Sequence, residues 1–401
     1  MEAPTIDPVI DSDSPEVGRL CVVKAHALTP TETFIRAHVE RLVPDTVLID
    51  HPPLPLYERG GRPLPAPLHA HRLVRRKLDR RERGKKLTEG YVRLFQQHRP
   101  DVVLAEFGTT GAVVVDACEK LDIPLVVHFH GYEISKEEVV RANAERYHQL
   151  GRSAAALVAV STPMKERVLA FGPPPERVVV NPCGVDMELF EPTRAESPSP
   201  VFLSVGRFVE KKAPHLVILS FARAHERDPT FRLRMVGDGP LMGVCTDLVH
   251  ALGIQDAVTF LGHQSHEAVQ REMKAARGFL QHSVIAASGD REGAPVSVLE
   301  ANASALPLVA TSHEGIADVV IPGVTGLLVE ERDVNAMADG MLRLVNEPEF
   351  AAQLGRAARE RTARYFSMER SLGRLRHVLK AAAARRPIPA WDETFGREGH
   401  V

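Results

Sequence analysis

The chain reads as an α/β protein made of two doubly wound domains in tandem. Three observations predict this. A length of 401 residues exceeds what one hydrophobic core usually supports. Short β-branched runs alternate with helical patterns almost from end to end, the signature of parallel sheets covered by helices on both faces. Near the middle the alternation breaks and then starts again. Hydrophobic residues make up 44% and charged residues 25% of the chain, a balance that lets each half bury its own core.

In the first half the expected strands are residues 20–23, 47–49, 102–105, 125–129, 156–160 and 178–180. Their apolar character is nearly continuous, as suits strands buried on both sides. Residues 186–200 (DMELFEPTRAESPSP) shift to Pro, Ser, Glu and Arg, the composition of an exposed connection. The break is placed there: a first domain over residues 1–190, a second over 191–370, and a helix and tail over 371–401 expected to pack back toward the first. Strands resume at 201–205, 232–236, 258–261, 278–280, 308–310 and 326–329, and past Asp333 the pattern is helical to about Ala383. Two such domains are expected to face each other across a cleft at the carboxyl ends of both sheets, where open α/β sheets bind ligands.

The formal net charge of -2 gives no global reason to expect nucleic acid. Cys21, Cys118, Cys183 and Cys245 lie far apart with no metal-ligand spacing, which argues against a disulfide framework or a structural zinc and fits a reducing cytosol. The apolar run after the acidic, proline-punctuated start is too short for a signal peptide. Nowhere do about 18 apolar residues run together, so any membrane contact is expected to be peripheral. One local exception to the even charge is residues 71–86, with nine Lys/Arg against Asp79 and Glu82, a net of +7. With Leu68, Leu73, Leu78 and Leu87 keeping some apolar spacing, this stretch is either a solvated helical face or a basic amphipathic helix for an anionic membrane, where each cation near the surface is worth about 1 kcal/mol.

The chemistry is expected from three segments. Residues 289–302 run from a loop into a helix with Pro295 near its first turn and set Glu292 and Glu300 eight residues apart. Were every intervening residue helical, the two carboxylates would stand about 12 Å apart, too far to share a proton or a metal but suited to the two ends of an elongated polar ligand. The backbone N–H groups of Val296 and Ser297 would open at the positive end of the helix, an anion site. Residues 202–214 form a strand ending in Gly206 and Arg207, with Lys212 just beyond; a guanidinium fork and a compact ammonium together suit a departing diphosphate. Residues 127–133 (VHFHGYE) put His130 and Glu133 at a strand end, while strand alternation places His128 one layer deeper as a structural residue. Taken singly, Glu292 is also an ordinary surface loop acid, Glu300 a solvated helix residue, Arg207 and Lys212 ordinary surface cations, and a lone histidine at a strand end more often a structural hydrogen-bonder.

Together the segments resemble glycosyltransferase family 4. Glu292 and Glu300 match its E-x7-E signature, followed by the small residues Ala301, Ala303 and Ala305 and the strand LPLVAT; Gly206 and Arg207 match its VGR with a lysine a few residues on; residues 130–133 match its HG(Y/F)(D/E) motif. The resemblance covers roughly residues 27–366, including the pieces at 236–240, 260–263 and 313–316. It implies the GT-B fold and a retaining transfer of a sugar from a nucleotide diphosphate-sugar donor to a hydroxyl acceptor. Glu292 would meet the donor-sugar hydroxyls and Glu300 the ribose, with Gly206, Gly293, Val296 and Ser297 around the donor. Arg207 and Lys212 would neutralise the leaving diphosphate, Lys211 having no assigned role. His130 would stand at the reaction centre, and Glu133 would orient His130 or the acceptor.

Two departures bear on this likeness. Ala213 and Pro214 follow Lys212 where the family normally has glycine, and the loop at residues 27–34 lacks the family's glycines. Its TETF segment instead resembles the SETF start of exopolysaccharide and lipopolysaccharide members, with Thr31 on the acceptor side and Thr31 or Thr33 expected to cap the helix. No cofactor or metal is expected, because no Asp-x-Asp pair occurs where one would be needed; nor is there a carboxylate pair placed for a glycosidase-like route. The acceptor implied is a saccharide or lipid-linked saccharide of surface polysaccharide synthesis, handled in the cytoplasm or at the inner membrane face. Alternatives of other classes are a nucleotide-sugar 2-epimerase on the same fold and an inactive sugar-nucleotide-binding scaffold.

Overall fold

A computed structural model describes residues 16–28, 32–50, 80–192 and 200–396. Thr31 and residues 71–79 of the basic stretch lie outside the described residues. The chain divides into two compact units. To the first belong the residues up to Val160, Met164–Asn181 and Leu372–Glu393; to the second, Ser161–Pro163, Pro182–Ser371 and the residues from Thr394 on.

In the first unit β1 (Leu20–Lys24), β2 (Thr46–Asp50), β3 (Val102–Glu106), β4 (Leu125–Phe129), β5 (Ala156–Ala159) and β6 (Val178–Val180) form one parallel sheet in the order β2-β1-β3-β4-β5-β6. Every residue of β1, β3 and β4 is buried, which explains their unbroken apolar runs. The exceptions are polar and sit toward the carboxyl ends: Lys24, Glu106 and His128 are all buried. The chain order reverses between β1 and β3, the place where open sheets of this kind leave a crevice for a ligand. At the far side, residues 391–393 cover the edge strand β6. The Trp391 indole N–H donates to Val180 O at 3.0 Å, and Glu393 accepts from Val180 N at 2.7 Å while pairing with Lys165 at 2.5 Å.

The second unit repeats the plan with β7 (Val201–Val205), β8 (Arg232–Val236), β9 (Val258–Gly262), β10 (Gly278–Gln281), β11 (Leu308–Thr311) and β12 (Leu327–Val329). The parallel order β12-β11-β10-β7-β8-β9 is that of dinucleotide-binding domains, with the reversal between β7 and β10. Phe202 and Phe231, 5.3 Å apart, fill the core with Phe221, Leu233, Met235 and Met341, each such side chain contributing about 1.5–3 kcal/mol on burial. The helix Pro214–Arg227 starts on proline, which lacks the N–H a first turn would leave unpaired, and turns Val217, Ile218, Phe221 and Ala224 inward at helical spacing.

All twelve expected strands fall on observed ones, within one residue at each end. The helical run past Asp333 is three helices, Val334–Asn346, Pro348–Tyr365 and Met368–Ala383, the first capped by the Asp333 carboxylate on Ala336 N at 2.9 Å. Thr33 does not cap its helix: it is the first residue of Thr33–Arg41, behind Glu32, which makes no side-chain cap bond. The four cysteines are buried and form no disulfide. No helix among the described residues is long and apolar enough to cross a membrane.

Candidate active site

In the second unit the site is built on the ends of β7 and β8. Gly206 N donates to Val236 O at 3.0 Å and Phe208 N to Asp238 O at 2.9 Å, which ties the loop after β7 to the turn after β8. That turn needs glycine. Gly237 has φ 134°, and a Cβ there would stand 1.9 Å from Gly206 O. Arg207 is exposed at the strand end and lines a narrow cavity with Gly206, Phe208, Lys212 and Gln281. A short 3-10 turn, Glu210–Lys212, then sends two adjacent lysines to different partners. Lys211 is buried and ties down the opposite loop through Asp290 Oδ1 at 3.0 Å and Arg291 O at 3.1 Å. Lys212 Nζ reaches Glu292 Oε2 at 2.6 Å. Ala213 holds φ 40°, the left-handed region, which gives a physical reason for glycine at this position in the family pattern; alanine there carries a strain of about 1–2 kcal/mol.

Glu292 lies in the loop before the helix, 9% exposed. Burial alone would raise its carboxyl, but the charges of Lys212 and Lys211, the Lys212 hydrogen bond and His313 outweigh it and hold the group at about 2. Its backbone is fixed as well: Glu292 N–H donates to His313 Nε2 at 3.2 Å. His313 therefore carries its hydrogen on Nδ1 and donates it to Glu331 Oε1 at 2.5 Å, while Glu331 Oε2 accepts from Ile285 N at 3.0 Å. Beside this chain of bonds Arg291 pairs with Glu314 at 2.8 Å, and Gly315 passes so close to Gly293 that a Cβ would lie 1.9 Å from Gly293 O.

The helix Val296–Ala303 begins four residues after Glu292, with Pro295 as its N-cap and Val298 N–H the first to bond back, to Pro295 O at 3.0 Å. Val296 and Ser297 therefore occupy the first turn, whose N–H groups point out of the helix toward positive-end solvent or ligand. Glu300 stands one turn further on and is buried; burial pushes its carboxyl up to about 7, with Lys212 pulling the other way and His266 Nδ1 3.8 Å off. Arg207, Lys212, Glu292, Glu300 and the helix start thus gather around one loop system: two cations, a fixed anion, a titrating carboxyl and open amide donors.

In the first unit His130 and Glu133 follow β4. Glu133 is fully buried, and its two oxygens accept from the backbone N–H of His130 at 2.5 Å and of Gly131 at 3.0 Å, so it fixes the turn that carries His130. His130 Nε2 lies 2.7 Å from Glu106 Oε2 at the end of β3, and Glu106 Oε1 lies 2.7 Å from His38 Nδ1. His128 is buried, as strand alternation predicts, with Glu106 3.8 Å from its Nδ1; burial and the neighbouring His130 and His38 keep it neutral against the pull of Glu106. His38, Glu106 and His128 have the residue types of a metal site and bring ligand atoms within 4.8 Å of one another, yet the carboxylate is already shared between two imidazoles. Sequence reasoning missed His38, Glu106, Glu331 and the bracing role of His313. One signal was available for Glu106, an acid closing an otherwise apolar buried strand.

Two family models match the chain, Glycosyltransferase Family 4 over residues 31–189 and Glycosyl transferases group 1 over residues 186–361. Among curated proteins it is similar to the putative colanic acid biosynthesis glycosyltransferase WcaL of Escherichia coli (strain K12), 31% identical over 71% of each chain. It is also similar to the amylovoran biosynthesis glycosyltransferase AmsK of Erwinia amylovora, 29% identical over 71% of this chain and 70% of the relative. Among solved structures, Anabaena HepE in complex with UDP aligns at a TM-score of 0.73 and 17% identity over 90% of this chain and 99% of that one. The sucrose-phosphate synthase of Thermosynechococcus elongatus aligns at 0.69 and 20% over 92% and 99%. The structural likenesses establish two Rossmann-like domains of the GT-B fold. With the two models abutting from residue 31 to residue 361 and a relative above 30% identity over most of its length, the chain belongs to glycosyltransferase family 4 and is a glycosyltransferase.

Proposed function

We propose that the chain transfers a sugar from a nucleotide diphosphate-sugar to a hydroxyl of a saccharide or lipid-linked saccharide in the synthesis of a surface polysaccharide, with retention at the anomeric carbon. The observation that carries this reading is the pairing of Lys212 with Glu292 at 2.6 Å, in a loop system that also holds Arg207 and the amino end of the helix Val296–Ala303. As the bond from the anomeric carbon to the diphosphate breaks, its electron pair leaves on an oxygen that two cations and open amides can stabilise. The acceptor oxygen bonds to the same face of the sugar, and its proton goes to the departing phosphate. In this reading Glu292 positions the donor sugar and Glu300 the ribose, with Gly206, Gly293, Val296 and Ser297 lining the donor. The second unit is the donor side; the first is the acceptor side, where His130 attends the reacting sugar and Glu133 braces its turn. Arg207 and Lys212 supply the countercharge, so no metal is assigned a role. The names of WcaL and AmsK support a polysaccharide acceptor, and the UDP in HepE supports a uridine diphosphate donor. For the basic stretch the reading is peripheral contact with anionic lipid at the cytoplasmic face, seen as salt-sensitive binding to anionic vesicles.

A panel of nucleotide-sugars scored by thermal shift tests the donor: a ligand at 100 times its dissociation constant adds about 2.7 kcal/mol. Nuclear magnetic resonance of the product made from the stabilising donor then reads the anomeric configuration. An inverted product, or an epimerised sugar formed from donor alone, overturns the reading.

A further inference from the structure

Glu106 belongs to none of the short motifs that carry the family likeness, yet it is, like Glu133, a fully enclosed acid of the first unit. It ends β3 with no exposed surface, and each carboxylate oxygen is committed to a different imidazole, Oε1 to His38 Nδ1 and Oε2 to His130 Nε2, both at 2.7 Å. A carboxylate removed from water persists as an anion only when it is paired and hydrogen-bonded. Burial works against ionisation here, but the two imidazoles outweigh it and hold the carboxyl well below its usual range. An ionised carboxylate accepts hydrogen bonds and donates none, so each imidazole carries a hydrogen on the nitrogen that faces it. His130 is therefore an Nε2–H imidazole, and in its neutral form Nδ1 bears the lone pair. The ring itself is flanked by Phe34 and Phe107, each with its centroid 4.8 Å away, so its plane is set by packing as well as by the hydrogen bond.

We infer that Glu106 is a positioning residue for sugar transfer: it fixes the tautomer and the ring plane of His130, so that the imidazole accepts rather than donates at Nδ1, and His38 completes the pairing of the carboxylate. The inference rests on the reading of His130 as the group that attends the reacting sugar. It goes beyond that reading because it assigns Glu106 and His38, which no motif marks, and states which nitrogen of His130 carries hydrogen. A carboxylate that holds an imidazole in one tautomer is worth a large factor in rate where the ring acts on a substrate, since the wrong tautomer presents a donor where an acceptor is required.

The test uses the full chain labelled with ¹⁵N and long-range proton–nitrogen spectra of its imidazoles, with the His130 signals identified by their loss in His130→Gln. Wild type is expected to show hydrogen on Nε2 of His130, and Glu106→Gln to change that tautomer and lower kcat by about 10²-fold while the donor KM stays within about twofold. Glu106→Asp, which keeps the charge on a shorter arm, is expected to recover part of the rate. If Glu106→Gln fails to fold, the wild-type spectrum still decides, because hydrogen on Nδ1 overturns the inference. So does one equivalent of zinc found in the purified chain by mass spectrometry, which would make His38, Glu106 and His128 a metal site instead. The two levels separate cleanly. Full activity of His130→Ala would sink the role of His130 itself, whereas an inactive His130→Ala beside a fully active Glu106→Gln would sink this inference alone.

Discussion

Replacing Glu300 with Gln keeps a buried side chain of nearly the same shape and removes its ionisation, so the variant isolates what that ionisation costs the fold. Burial raises the carboxyl from 4.5 to about 7, with Lys212 opposing. The unfolded chain gives up this proton near 4.5, while the folded chain keeps it until about 7. Between those values the folded state binds more protons, so stability falls as pH rises, and the loss is complete once the pH passes the folded value. A raise from 4.5 to about 7, at about 1.36 kcal/mol per pH unit, makes the full loss about 3 kcal/mol. Glu292 cannot mimic this, because its carboxyl is lowered to about 2 and its stabilisation is lost only as pH falls from 4.5 through that value. Denaturant unfolding of both proteins at pH 5 and pH 8 supplies the assay, and subtracting wild type from variant cancels every other titrating group. From the lower to the higher pH the difference should move toward the variant by roughly 2–3 kcal/mol. An unchanged difference would mean that Glu300 titrates near its ordinary value, and the argument from burial would fail.

Lys212→Ala takes the nearest cation from Glu292 and removes one of two cations from the proposed leaving-group site. Single-turnover kinetics should show a loss of about 10²–10³-fold, and Lys212→Arg should recover little of it, because a planar fork does not replace a point charge. His313→Leu strips the acceptor from Glu292 N–H and the donor from Glu331; unfolding titrations should register a cost of about 1–3 kcal/mol, with weaker nucleotide binding measured alongside. Gly237→Ala meets Gly206 O at 1.9 Å and should cost more than about 2 kcal/mol. Gly253→Ala, at φ 67° with open space around it, is the control and should cost about 1–2 kcal/mol by thermal unfolding.

The strands were legible because parallel strands buried on both faces leave uninterrupted apolar runs, and the breaks between runs are loops. The residues proposed for the donor could be picked out because they lie in compact motifs at strand ends, where open α/β sheets commonly bind ligands. What was not legible depends on contacts between residues far apart in the chain. Glu106 meets His38 across 68 positions and Glu292 meets His313 across 21, and no local pattern reports either. The two lysines show the limit most sharply. Lys211 and Lys212 are identical in type and adjacent, and only the 3-10 turn at Glu210–Lys212 decides that the first is buried against Asp290 while the second reaches Glu292. The start of the helix is a further case. There the loop and the helix start at Pro295 were expected and are observed, whereas the hold of His313 on the Glu292 backbone was not.

A difference in setting separates two residues of one type. Glu292 and Glu300 are 9% and 7% exposed, and burial pushes both carboxyls upward, yet one ends at about 2 and the other at about 7. The deciding group is Lys212. Its ammonium sits 2.6 Å from Glu292, with Lys211 and His313 adding to the pull, whereas it acts on Glu300 only through its charge and does not overcome the cost of burial. Near neutral pH the site therefore holds one fixed anion and one group poised between its two forms. Glu292→Gln removes the partner that fixes Lys212, and the lysine then has Glu300 as the remaining carboxyl within its field. The midpoint of Glu300, followed by carbon NMR of a ¹³C-labelled side chain, should fall below about 7 in this variant. A midpoint that does not move would show that Lys212 is anchored by something other than Glu292, and the ion pair would lose its place as the group that sets the charge of the site.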